Sequence, residues 1–344
     1  MRRGAGVAAA AACAGALALS LVLGLAGTGT AAAQSAPPTK LAPPPKAAPK
    51  PAAKQGGKAE PQKPAAPAAE GSGDLAYGAY QRGYFITAYN EALKRAGTDP
   101  AAMTLLGELY GRGFGVPQDP KKAREWYKKA ADAGSSDALF ALGLMALTGE
   151  GQKADELEAA RLFRAAAEKG SGAAAYNLGL LYLQGRLVPK DFSQAAHWFE
   201  EASAHDLEDA LYALAILAKE GNGVEKDNVR AAKLMAKAAR LGHVTAQVEL
   251  AIMQFNGVGV PKDEAAAAAL FRRAALAGNA IAQNRYARLL AAGRGTAPDK
   301  VAAAAWHLLA KKKGLGDPML DDVVAKLGEA DRTKAEDQAR KWGG

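Results

Sequence analysis

The apolar positions of this chain recur with a long period. A leucine returns every 36 residues, at Leu106, Leu142, Leu178, Leu214 and Leu250, with Tyr286 in the sixth place. Four residues before each stands an alanine (Ala102, Ala138, Ala174, Ala210, Ala246, Ala282), and one residue after stands a small side chain (Gly107, Gly143, Gly179, Ala215, Ala251, Ala287). Residues three or four apart share a helix face, so a first helix, A, is predicted around each anchor. Seven residues past the anchor comes Gly113, Gly149, Gly185, Gly221, Gly257 or Gly293. Glycine suits a helix end because the residue past the last turn commonly takes φ > 0. Six residues further stands Asp119, Asp155, Asp191, Asp227, Asp263 or Asp299, each an N-cap acceptor for a second helix, B. Helix B carries alanine at Ala123, Ala159, Ala195, Ala231, Ala267 and Ala303, and again seven residues on from Ala130 to Ala310. Between these, Trp126, Leu162, Trp198, Leu234, Leu270 and Trp306 are expected to fill the interior. Helix B then stops at Gly134, Gly170, Gly242, Gly278 and Gly314, with Asp206 standing in once.

No insertion breaks this register. Each copy is therefore expected to be an antiparallel helix pair that cannot bury its apolar faces alone, which predicts an all-α solenoid. The small residue after leucine, the Gly-x-Gly turn, the aspartate and the Ala-x-x-(Trp/Leu) stretch resemble the Sel-one-like repeat family, the 36-residue relatives of tetratricopeptide repeats. Tyr176-Asn177-Leu178-Gly179-Leu180-Leu181-Tyr182 carries the resemblance most clearly. It covers residues 99–314 and implies a right-handed superhelical stack of six pairs. Residues 74–98 read as a divergent, shortened N-terminal repeat. Residues 315–344 read as polar capping helices, because Pro318 takes the alanine slot and Asp322 the leucine slot.

The N-terminal pattern is different. Arg2 and Arg3 precede an apolar run from Ala5 to Ala26, and Ala31 to Ala33 supply small residues for cleavage, so residues 1–33 are expected to be a secretory signal peptide. The run also reaches the ~20 apolar residues that span a bilayer, which leaves an uncleaved anchor as the alternative. Residues 34–73 are rich in Pro, Ala and Lys and are expected to be a disordered linker, since such a composition buries no core. That linker is either a solvated spacer or a basic arm drawn to the cell wall or a membrane surface. A periplasmic or secreted location follows, or a membrane-anchored one if the signal stays. The single cysteine, Cys13, lies in the apolar run, so stability is expected from packing and not from disulfides.

Of the formal charge of +9, most sits in Arg2, Arg3 and the linker lysines. The repeats are close to neutral and lack the basic stripe of a nucleic-acid binder, so nucleic acid is not an expected partner. The glycines of Gly111-Arg112-Gly113-Phe114-Gly115 do not read as a phosphate loop, because such loops occur once, after a strand, whereas this turn recurs between helices. His197, His205, His243 and His307 show no i, i+4 ligand spacing and are expected to be structural or surface residues. No catalytic residue, metal or cofactor is predicted, and the chain is not read as an enzyme.

The resemblance implies instead a protein-binding surface. In tetratricopeptide-like solenoids the A helices line the concave face through the slots two before, two after and five after the anchor. Those slots hold Phe140, Leu144 and Leu147, then Tyr176, Leu180 and Leu183, then Tyr212 and Ile216, then Val248, Ile252 and Phe255. The ends are polar, with Thr104 and Glu108 at one and Asn284 and Arg288 at the other. The apolar slots serve either a ligand or ordinary packing between repeats. The expected function is an exported protein–protein interaction scaffold or regulator. Its implied partner is an envelope or membrane sensor protein, because exported relatives of similar layout restrain a membrane sensor kinase. The alternative is a cell-wall-associated enzyme or β-lactam-interacting protein, as for cysteine-rich members of the class. Their cysteines are missing here, as is any Ser-x-x-Lys motif.

Overall fold

The computed structural model describes residues 75–185 and 189–343; the expected signal peptide (1–33) and linker (34–73) lie outside the described residues. Two short helices open the chain, α1 (Leu75–Gln81) and α2 (Phe85–Arg95). Six pairs follow: α3 (Pro100–Arg112) with α4 (Pro120–Asp132), α5 (Ser136–Thr148) with α6 (Glu156–Glu168), and α7 (Gly172–Gln184) with α8 (Phe192–Ser203). The series continues with α9 (Glu208–Glu220) and α10 (Asn228–Leu241), α11 (Val244–Asn256) and α12 (Glu264–Leu276), and α13 (Ala280–Ala292) and α14 (Lys300–Lys312). Two further helices, α15 (Pro318–Ala325) and α16 (Glu329–Gly343), close the stack. Along the pairs each helix packs on the one before and the one after it in sequence. That is the contact pattern of a helical solenoid. Among the described residues there is no strand, and no helix long and apolar enough to cross a membrane.

Local chemistry sets the helix ends. The carboxylates of Asp119, Asp155, Asp191, Asp227, Asp263 and Asp299 all accept backbone N–H bonds from the first turn of their B helices, satisfying donors that helix starts leave orphaned. The A helices have caps the repeat pattern did not reveal. Asp99, Ser135, Ser171, His243 and Asn279 each accept a bond from the first turn, and only Leu207 does not. These acceptors differ chemically, so no single residue type marks the position. His243 does the task with Nδ1, which accepts from Ala246 N–H at 2.9 Å.

The residues expected to fill the interior do so in two repeats and not in the other four. Trp198 and Trp306 are buried, whereas Trp126, Leu162, Leu234 and Leu270 are only half-buried; the residues one further on, Tyr127, Phe163, Phe199, Met235, Phe271 and His307, are buried in every repeat. At ~100° per residue, the positions three and four after the first helix-B alanine lie about equally far on either side of the alanine stripe, so the facing helix decides which one is always buried. Each of these side chains lies in the same register as the small residue that follows the A-helix anchor. A methyl group built on Gly107, Gly143 or Gly179 would come within 2.6, 2.6 or 2.7 Å of the Tyr127, Phe163 or Phe199 ring. The later repeats hold Ala215, Ala251 and Ala287 at the small position. Small residue and ring are thus two halves of one packing unit.

The Gly-x-Gly turn has two separate jobs. Its first glycine ends helix A, as at Gly257 with φ +72°. Its second lies against the first turn of the preceding B helix: at Gly259 an added Cβ would stand 2.1 Å from the Asn228 carbonyl oxygen, and Gly223 meets Phe192 in the same way. At Gly115, Gly151, Gly223, Gly259 and Gly295 the turn therefore meets the backbone of the helix pair before it.

At the C-terminus α16 lies along α14, and Trp342 stacks on Trp306 with ring centroids 4.4 Å apart. Helix α15 buries Leu320 completely and is capped by Asp317.

Candidate protein-binding face

The eleven apolar slot residues fall on α5, α7, α9 and α11, all A helices. They do not behave alike. Ile216 and Val248 are buried, at 7% and 4% exposure, and pack inside the stack, as does Leu183. Phe140, Leu144, Leu147, Tyr176, Leu180, Tyr212, Ile252 and Phe255 are half-buried, with part of each side chain on the surface. The Phe140 ring lies 5.7 Å from that of Phe163 and the Tyr176 ring 5.7 Å from that of Phe199, so each stands on the ring that fills its own repeat. Tyr212 stacks on His243 at 4.5 Å. The stripe is therefore a row of aliphatic and aromatic groups seated on the core with one side uncovered.

The polar ends of the row are satisfied within the chain. Thr104 Oγ1 lies 3.0 Å from Ser135 Oγ, and Glu108 accepts bonds from the hydroxyls of Tyr80 at 3.3 Å and Tyr127 at 3.0 Å and pairs with Arg112. At the other end Asn284 and Arg288 both donate to Asp317, at 2.8 and 2.5 Å. Burial alone would raise the Asp317 carboxyl, yet the bonds from Arg288 and Asn284 hold it below the usual carboxylate range. Those two slots close the terminal cap.

The Sel1 repeat pattern matches residues 100–135, 136–171, 172–207, 208–243, 244–279 and 280–315 without a gap. The chain belongs to the Sel1 repeat family. Among solved structures, it is 34% identical to a Sel1 repeat protein from Oxalobacter formigenes, with a TM-score of 0.61, covering 69% of this chain and 98% of that one. It is 28% identical to a protective antigen of uropathogenic Escherichia coli displaying an SLR fold, with a TM-score of 0.68 over 79% of this chain. The chain spans 62% of that antigen's length. No curated protein matches the sequence. Sel1 repeat proteins generally act as non-enzymatic scaffolds for protein–protein interaction.

Within this Sel1 stack the four histidines take separate places. His197 and His205 are exposed, His243 caps α11, and His307 is buried with Nε2 2.9 Å from Asp321. Among the described residues no group of three or more His, Cys, Asp or Glu is placed to hold a metal ion.

The two tyrosines of the face carry a pH signature. Burial, with Asp209 second, pushes Tyr176 up to about 12, and burial, with Glu249 and Glu220, pushes Tyr212 up to about 12, from an ordinary 10.0. The folded state favours the neutral phenols. Their contribution to stability is complete below pH 10 and is lost as pH rises from there to about 12. The helical signal is expected to become less resistant to guanidinium across that window, and Tyr176→Phe with Tyr212→Phe to reduce the loss. A double variant with the same alkaline dependence as the parent contradicts this assignment.

Proposed function

We propose that this chain is an exported scaffold or regulator that holds a partner protein, of the envelope or membrane sensor class, against the concave A-helix face of its Sel1 stack. One observation carries the reading. Eight apolar side chains at the same three slots of four successive A helices are left half-uncovered. Apolar rows of this kind suit a partner's amphipathic helix or extended segment, which buries alternate side chains along them. Removing that surface from water contributes roughly 25 cal/mol per Å². The signal-like residues 1–33 and the lysine-bearing 34–73 segment support export and contact with cell wall or membrane surface. The cysteine-free repeats suit either redox environment.

The reading is tested by site-directed photocrosslinking in intact cell envelopes. A photoreactive residue in place of Leu144 or Leu180 is expected to give a discrete protein adduct. The same residue in place of Arg161, which is exposed on the B helix α6, is expected to give none. Phe140→Ser with Tyr212→Ser should reduce the adduct at least tenfold while helicity is retained. Equal adducts from Arg161, or no adduct from either A-helix position, defeats the proposal.

A further inference from the structure

Between the last two A helices and the cap lies a cavity of about 330 Å³. Ile252 and Phe255 from α11, Leu289 from α13 and Met319 from α15 give it apolar walls, and the Phe271 ring also lines it. Met319 is 46% exposed, so an apolar lip stands open to solvent. Three arginines, Arg285, Arg288 and Arg294, also line this space, and no carboxylate does.

The arginines are not equivalent. Arg294 pairs with Glu264 and lies over the Phe255 ring, 4.3 Å from its centroid, so it is held as part of the wall. Arg288 directs Nε to Asp317. Arg285 is exposed on α13 and has no ion-pair partner among the described residues. Glu264 and Asp317 offset the charges of Arg294 and Arg288, so Arg285 supplies the uncompensated positive charge at the rim of this apolar recess. A guanidinium fork binds a carboxylate through two parallel hydrogen bonds. The volume lies at the small end of ligand cavities, which suits one or two side chains.

We propose that this cavity is an acidic-anchor subsite. It takes a partner segment in which an aspartate or glutamate adjoins a leucine or phenylalanine, with the carboxylate on Arg285 and the apolar side chain between Phe255, Leu289 and Met319. The inference rests on the reading of the A-helix face as the partner-binding face and fixes one end of the bound segment. It gives the row a direction: the acidic end of the ligand lies at α13 and the apolar remainder runs back toward α5.

The test uses the full chain and fluorescence anisotropy with three labelled octapeptides. The first has one leucine flanked by two aspartates, the second has asparagines in place of the aspartates, and the third has serine in place of the leucine. The first should bind most tightly and weaken steeply with salt. Arg285→Glu should weaken it at least tenfold, Arg285→Lys less, and Met319→Ser about threefold. Helicity and the unfolding midpoint should stay unchanged, because both residues are exposed. The subsite is disproved if the first peptide does not bind at millimolar concentration, if the asparagine peptide binds equally, or if Arg285→Glu has no effect. Equal binding of the serine peptide, displaced by inorganic phosphate, also disproves it by showing a plain anion site. Peptide binding that ignores Arg285 while Leu180 adducts persist removes the subsite alone. Arg285-dependent binding without such adducts removes the wider face and leaves the subsite standing.

Discussion

Gly259→Ala is expected to lower the stability of the repeat stack by about 3–5 kcal/mol, against about 1–2 kcal/mol for Gly257→Ala two residues earlier. Both glycines have φ near +70°, so alanine at either site costs left-handed backbone strain. The difference lies in what the new methyl group meets. At Gly257 the nearest atom is the Lys262 Cβ at 3.3 Å, a side chain that yields by a few tenths of an ångström. At Gly259 it is the Asn228 backbone, with the carbonyl oxygen at 2.1 Å and its carbon at 2.5 Å. Backbone in the first turn of α10 cannot move without unseating the fourth pair from the fifth. Guanidinium unfolding followed by circular dichroism measures both. A repeat array depends on nearest-neighbour interfaces, so Gly259→Ala should also separate the transition into two steps. Equal losses for the two variants would show that strain alone matters and that the contact does not.

Phe199→Ala should cost about 3–5 kcal/mol, the range for emptying a buried aromatic site. Its ring is fully buried at the middle of the stack, against Gly179 on one side and beside Tyr176. The pairing of small residue with ring permits a sharper test. Gly179→Ala alone forces a methyl group to within 2.7 Å of the ring, which outweighs the ~1 kcal/mol that alanine gains over glycine within a helix. Phe199→Met alone leaves space unfilled. Together they reproduce the Ala215 and Met235 combination of the following repeat, where both residues are fully buried. The double variant is therefore expected to be more stable than either single one, with a coupling of about 1–3 kcal/mol in a double-mutant cycle. Additive losses would mean that the two positions do not pack as a unit.

Helix positions, turn chemistry and membership of the Sel1 repeat family were legible in the sequence because one interaction recurs six times at one spacing. The aspartate caps are an instance: a short acceptor side chain before a helix satisfies first-turn N–H groups whatever surrounds it. The A-helix caps were not legible, since Asp99, Ser135, Ser171, His243 and Asn279 share geometry without sharing identity. Of the residues expected to fill the interior, Trp198 and Trp306 are buried, while at Trp126, Leu162, Leu234 and Leu270 the buried side chain is the next one along. Trp126 and Tyr127 both lie near the alanine stripe, and only the position of Gly107 on the facing helix selects Tyr127.

The candidate face divides in the same way. Periodicity placed Phe140, Tyr176, Tyr212, Ile216, Val248 and Phe255 on A helices, since side-chain direction follows from helix geometry. Which of them stay uncovered was decided by the neighbouring repeat, because exposure depends on what arrives from 30 or more residues away. Ile216 and Val248 are closed over, and Phe255 is roofed by Arg294. The gathering of Arg285, Arg288, Arg294 and Met319 around one cavity belongs wholly to tertiary structure. Those residues come from α13, the turn that follows it and the non-repeated cap. Local pattern determined where the helices are and which way they face; contacts between distant segments decided what remains open on their surface.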